Sequence, residues 1–225
     1  SGFIDNNSSS SESHTLLLNM LKSISHRGPE ASAIWQEAPV HLGHNRLKII
    51  DLSDEANQPF EYEHIVLVFN GEVYNYIELR KELLAAGYKF RTSGDSEVIC
   101  AAYIQWGKTC VTRMVGMWAF ALWDKKLNQL FCSRDRFGIK PFYYIQSSGK
   151  FYFSSEYKAL KLAPIFSGKV NIDQLHRGIQ MGWSSYYNET FFDCIHLLEP
   201  AHNLIYNSGN IIIEKYWDID FEQPK

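Results

Sequence analysis

Val66-Leu67-Val68-Phe69-Asn70-Gly71-Glu72-Val73-Tyr74-Asn75-Tyr76 is the stretch on which the reading of this 225-residue chain turns. Ile65 to Phe69 is a short apolar run of the length that suits a buried strand. Asn70-Gly71 is the dipeptide that best tolerates positive φ, so the strand is expected to stop there in a tight turn. Asn75, with Glu78 three residues on, has the pattern of a capping box. Tyr76, Leu79, Leu83 and Ala86 then form the apolar stripe of a helix that ends at Gly87. One strand thus carries an amide side chain, a glycine backbone and a carboxylate to one edge of a sheet. An amide donor beside a backbone N–H is the composition of an oxyanion hole, and a carboxylate next to them suits a substrate ammonium. An isolated Asn-Gly is more often a plain turn. The rest of the chain decides between the two.

Hydrophobic residues make up 45% of the sequence and aromatic residues 15%, ample material for a buried core. A formal net charge of -3 leaves no excess of cations to neutralise phosphates, which argues against a nucleic-acid partner. Cys100, Cys110, Cys132 and Cys194 are widely spaced with no CxxC, so no metal site is expected. Cys100 and Cys132 fall in apolar helix and strand patterns and read as small core residues of a protein in a reducing compartment. No apolar run approaches the length of a membrane span, and no basic and apolar leader opens the sequence. The expectation is a cytoplasmic protein with no membrane partner.

Ser1 carries a hydroxyl and, as first residue, a free α-amine that is a weak base near neutral pH. A nucleophile with its own base on one terminal residue is a catalytic arrangement, whereas a frayed end is the ordinary state of a terminus. The polar run Asn6 to Ser13 reads as a flexible surface loop, and Thr15 to Ile24 as a helix. Strands are expected around Ala33–Trp35 and Val40–His44. Arg46 then opens a short apolar run to Asp51, where a guanidinium can grip a carboxylate through two parallel hydrogen bonds; a surface ion pair is the commoner use. Asp95 follows the turn-rich Arg91–Gly94 and starts a helix that stops near Gly107; the helix dipole favours an acid there whether or not it binds anything. Met117–Trp123 with Gln129–Ser133, Phe142–Ile145 with Phe151–Ser154, and Asn203–Tyr206 with Ile211–Tyr216 read as hairpins. Between the last two, Asn171 and Gln174 repeat the capping-box pattern for a helix to about Met181. Many antiparallel strands and a few helices, without strand–helix alternation, point to an α+β fold of two antiparallel sheets covered by helices, one domain over residues 1–225.

Several motifs in one order carry a resemblance. They are Ser25–Pro29, Gly43–Leu47 with Ile50–Ser53, Asn57–Pro59, Phe69–Tyr76, Ser93–Glu97, Gly116–Ala121, Arg134–Pro141 and Ser154–Leu160. Together they make the chain similar to the N-terminal glutaminase domain of asparagine synthetase, in the class II glutamine amidotransferases, which are N-terminal nucleophile hydrolases. The resemblance covers nearly the whole chain. It implies a four-layer αββα sandwich. It also implies roles: Ser1 as nucleophile, Asn70 and Gly71 as oxyanion hole, Arg46 on the α-carboxylate of L-glutamine, Glu72 and Asp95 on its α-ammonium, and the main chain of Leu47, Ile49 and Ile50 along the pocket. The family hydrolyses the side-chain amide of glutamine and passes ammonia to a C-terminal synthetase domain. No cofactor is expected for the first half; ATP and Mg²⁺ belong to the second.

The sequence departs from that family in two ways. The family begins with Cys-Gly, and here Ser1 precedes Gly2. A hydroxyl is far less ionised than a thiol at neutral pH, so slow or absent turnover is expected. The quoted sequence ends shortly after Tyr216-Trp217-Asp218, where the family's synthetase domain normally follows. A glutamine-binding regulatory module and a terminal-serine amidase acting on another amide remain open beside the glutaminase reading. So do the ammonia acceptor and the oligomeric state, a homodimer included.

Overall fold

Both faces of the Ile65–Phe69 run are buried because its strand lies inside a four-layer stack. The computed structural model describes residues 1–6 and 9–219. In chain order the elements are β1 (Gly2–Ile4), α1 (Ser10–Ser23), β2 (Ala31–Glu37), β3 (Val40–Arg46), β4 (Phe60–Tyr62), β5 (Ile65–Val73), α2 (Tyr76–Ala85), α3 (Asp95–Trp106), α4 (Cys110–Arg113), β6 (Gly116–Asp124), β7 (Gln129–Arg134), β8 (Tyr143–Ser147), β9 (Lys150–Ser154), α5 (Tyr157–Leu160), α6 (Ile172–Met181), β10 (His196–Leu197), β11 (His202–Asn207) and β12 (Asn210–Lys215). One sheet has the order β10-β8-β9-β1-β3-β2 and the other β12-β11-β7-β6-β5-β4. Neighbouring strands are antiparallel throughout. The expected αββα architecture is the observed one.

Strand parity explains the layers. Ile65, Leu67 and Phe69 of β5 and Trp118, Phe120 and Leu122 of β6 pack with α2 and α3 in an outer core. Val66, Val68, Ala119 and Ala121 point the other way and meet Ile4, Val40, Leu42, Phe151 and Phe153 of the facing sheet. Phe3 and Tyr152 turn to the far side, under α1 and α5. Each fully buried Leu or Phe contributes about 1.5–3 kcal/mol, so one continuous apolar run is stabilised from both faces at once. By the same alternation Asn70 and Glu72 share the inter-sheet face of β5.

Four local expectations are corrected, the last in part. Asn70-Gly71 is not a turn: β5 runs through it to Val73, paired with β6. Gly71 has φ +156°, and a Cβ on it would lie 2.1 Å from the Met117 carbonyl oxygen. A close approach of two strands, not a reversal, requires the glycine. Nor does Asn75 close a capping box. Its amide is taken by Arg113 O (3.0 Å) and Val115 N (2.8 Å), which ties the start of α2 to the segment leading into β6. Part of the polar run read as a loop is helix: Ser9 and Glu12 form a full capping box and α1 begins at Ser10. Asn7 and Ser8 of that run lie outside the described residues. On α6, Asn171 caps as expected, accepting from Gln174 N, while the Gln174 side chain donates to Trp183 O instead of reaching back.

Candidate active site

A cleft of about 220 Å³ opens where the loop after β3, the end of β5 and the start of α3 converge. Arg46, Leu47, Ile49, Ile50, Asn70, Gly71, Glu72 and Asp95 all line it. Ser1 lies in a smaller adjoining cavity of about 30 Å³, which shares His44, Phe69 and Asn70 with the cleft. The fold therefore brings all nine residues singled out in the sequence to two spaces with a common wall.

Ser1 is held from both ends. Its α-amine donates to Gly43 O at 3.0 Å, and Gly43 N returns a bond to Ser1 O at 2.9 Å. Its Oγ shares a 2.9 Å hydrogen bond with Ser154 Oγ. Burial pushes the amine down from 8.0 to about 5, so near neutral pH its nitrogen carries a free lone pair beside the hydroxyl.

Across the shared wall, Asn70 Nδ2 is buried and has no hydrogen-bond partner. A buried donor left unpaired costs about 1–3 kcal/mol, and such a cost is often the mark of a site awaiting a ligand oxygen. Gly71, with no side chain, lines the larger cleft with its backbone.

Arg46 is 6% exposed. Its Nη1 donates to Ser53 O (2.6 Å) and Asn57 Oδ1 (2.7 Å), and its Nη2 to Asp51 O. These partners are neutral oxygens, and they engage three of five N–H donors. A buried cation held by neutral groups is poised for an anion. The loop that grips it is fixed in turn by Asp51. That carboxylate accepts from Ser53 N at 2.8 Å and from Ser93 N and Oγ, both at 2.9 Å; its hydrogen bonds, that with Ser53 foremost, hold its pKa well below the usual range.

Asp95 begins α3 with 6% exposure, and its Oδ2 accepts from Val73 N at 3.0 Å. Burial raises its pKa to about 6, and nearby Glu72 adds to the rise. Capping alone does not account for an acid whose oxygen reaches the neighbouring strand. Glu72, Asp95 and Arg46 thus border a single cleft, whose lining also includes Asp51, Arg27 and Lys140.

His44, Ser154 and Arg27 belong to these cavities and received no site role from the sequence. His44 Nε2 bonds to Phe69 O at 3.1 Å, and its Nδ1 is buried without a partner. Ser154 stands 153 residues from the serine it touches, which no local pattern reveals. Arg27 lines the cleft and pairs with Glu156 at 3.3 Å. Among the described residues, no group of three or more His, Cys, Asp or Glu is placed to hold a metal, and no helix is long and apolar enough to cross a membrane.

Known proteins resemble this chain in sequence and in fold. "Asparagine synthetase [glutamine-hydrolyzing] 3" of Bacillus subtilis is 36% identical over 208 residues, which is 91% of this chain and 34% of that protein. A putative asparagine synthetase of Methanocaldococcus jannaschii is 36% identical over 233 residues, 91% of this chain and 44% of its own length. The chain thus spans less than half of these relatives. Among solved structures, the glutamine phosphoribosylpyrophosphate amidotransferase of B. subtilis superposes with a TM-score of 0.70 at 17% identity, over 96% of this chain and 48% of that one, which shows a common fold. Residues 1–217 match the family described as the glutamine amidotransferase domain, and the chain belongs to that family.

Proposed function

We propose that this domain binds L-glutamine and hydrolyses its side-chain amide to glutamate and ammonia, and that the ammonia serves an asparagine-synthetase-type ligase domain of the same protein. The observation that carries the proposal is the unpartnered Asn70 donor in the wall between the Ser1 cavity and a cleft bordered by charges of both signs. An amino acid with a terminal amide fits that pattern. Its α-carboxylate pairs with the two remaining Arg46 donors, its α-ammonium with Glu72 and Asp95, and its amide oxygen with Asn70 Nδ2 and Gly71 N–H. The backbone of Leu47, Ile49 and Ile50 borders the chain between them.

The chemistry follows from the residues. The α-amine, neutral at pH 7, takes the proton of Ser1 Oγ directly or through one water as Oγ attacks the amide carbon. The C=O electron pair moves onto oxygen, and the oxyanion is met by Asn70 and Gly71. The ammonium so formed returns its proton to the nitrogen, the C–N bond breaks, and ammonia leaves an ester of Ser1. Water, deprotonated by the same amine, releases glutamate. With a hydroxyl in place of a thiolate the first step is slow, and Ser1→Cys is expected to raise turnover by orders of magnitude. The domain is read as one unit without a metal or organic cofactor, and as cytoplasmic.

The test is ammonia release from glutamine by the Ser1 and Ser1→Cys chains, with intact mass confirming that residue 1 is the free terminus. A Cys form that binds glutamine yet releases no ammonia overturns the nucleophile assignment and leaves a binding module.

A further inference from the structure

The proposed chemistry uses Asn70 but not its half-buried neighbour His44. The two have a complementary defect. His44 Nε2 meets the Phe69 carbonyl oxygen at 3.1 Å, and a carbonyl only accepts, so Nε2 carries the proton. Nδ1 is then a bare acceptor, buried and unpaired. Burial, with the nearby Ser1 amine and Arg46 adding to it, pushes the His44 pKa down to about 3, so protonation does not relieve that acceptor near neutral pH. Asn70 Nδ2 is an unpaired donor in the same wall. Among the described residues, four buried side-chain atoms lack a partner, and two of the four lie here, one of each kind. One misfit alone would be an isolated cost. A donor and an acceptor left open on the wall shared by two cavities match the two ends of a primary amide.

Resting on the glutaminase reading, we propose that His44 is a specificity-determining residue: its Nδ1 accepts an N–H from the substrate's amide nitrogen while Asn70 Nδ2 donates to the amide oxygen. The pair discriminates by chemistry. A carboxylate, as in the product glutamate, places an oxygen lone pair against the Nδ1 lone pair. An ester offers no N–H at all. A site whose buried polar atom is left unmatched by a ligand rejects it strongly. The low basicity of His44 also keeps it from acting as the acid for the leaving nitrogen, a task left to the Ser1 ammonium.

Two substitutions separate the nitrogens of the ring. In His44→Gln the side-chain amide nitrogen reaches the place of Nε2 and keeps the bond to Phe69 O, but nothing replaces Nδ1. In His44→Asn the side-chain oxygen sits near the place of Nδ1, and the Phe69 bond is lost. Binding of glutamine and of glutamate γ-methyl ester is measured by calorimetry on the slow Ser1 chain at pH 7, with circular dichroism melts to confirm folding. The parent chain is expected to prefer glutamine. His44→Gln loses about tenfold of that preference, and a folded His44→Asn retains most of it despite the lost Phe69 bond. A His44→Gln ratio within twofold of the parent, or a folded His44→Asn that loses the preference, overturns the role of Nδ1. A parent chain that binds no glutamine overturns the glutaminase reading, and this inference with it.

Discussion

Asn70→Ala separates an oxyanion donor from a structural asparagine, because the two readings predict opposite pairs of results. A buried asparagine with satisfied hydrogen bonds loses about 1–3 kcal/mol when truncated. In a chain of this size about 1 kcal/mol corresponds to a shift of about 2–4 °C in Tm. Asn70 Nδ2 makes no such bond. Its removal takes away an unpaired donor, and the side chain borders open cavity rather than packed core. Melting is therefore expected to move by less than about 2 °C, in either direction. Catalysis is where the loss appears: deleting one oxyanion donor costs about 10²–10³ in kcat. The measurement is ammonia release at saturating glutamine in the Ser1→Cys background, alongside differential scanning calorimetry. A variant that melts far below its parent while keeping its kcat would refute the reasoning.

Three further outcomes are expected. Arg46→Lys keeps the charge but gives up the planar fork, so calorimetry should show glutamine affinity falling by about 1–3 kcal/mol; unchanged affinity removes Arg46 from the site. With 15N-labelled Ser1, the amine should titrate near 5 rather than 8. Since the unfolded amine holds its proton to higher pH, this group makes stability rise with pH between those values; a midpoint near 8 contradicts a buried base. Asp95 has the opposite sign: its folded pKa is raised to about 6 from 3.8, so its contribution to stability falls as pH rises through that window. Glutamine binding should tighten over the same window as the carboxylate ionises, and Asp95→Asn should flatten both curves; a binding curve that stays as steep in Asp95→Asn detaches Asp95 from the ammonium.

The architecture was legible because the run Ile65–Phe69 and its counterparts are apolar on both parities, which only an inner sheet explains. That Arg46, Glu72 and Asp95 line one cleft was foreshadowed because each sits in a motif of several residues. What stayed hidden depends on pairing across distance. Ser154 and His44 gain meaning only once β9 and β3 lie beside Ser1. The Asn-Gly was misread because its local chemistry favours a turn, while its partner strand lies more than forty residues on.

That misreading has a consequence for the site. Gly71 and Gly116 face each other's strands at φ +156° and +153°, and a Cβ on Gly116 would lie 2.1 Å from Glu72 O, as one on Gly71 would from Met117 O. Two such reciprocal approaches hold β5 and β6 in one register. A slip of one residue would turn Asn70 toward α2 and α3 and Phe69 toward Ser1. Asn70 thus borders the Ser1 cavity because two glycines let the strands touch. The same dipeptide that suggests a turn in the sequence is what keeps the strand straight enough to deliver Asn70 between the sheets.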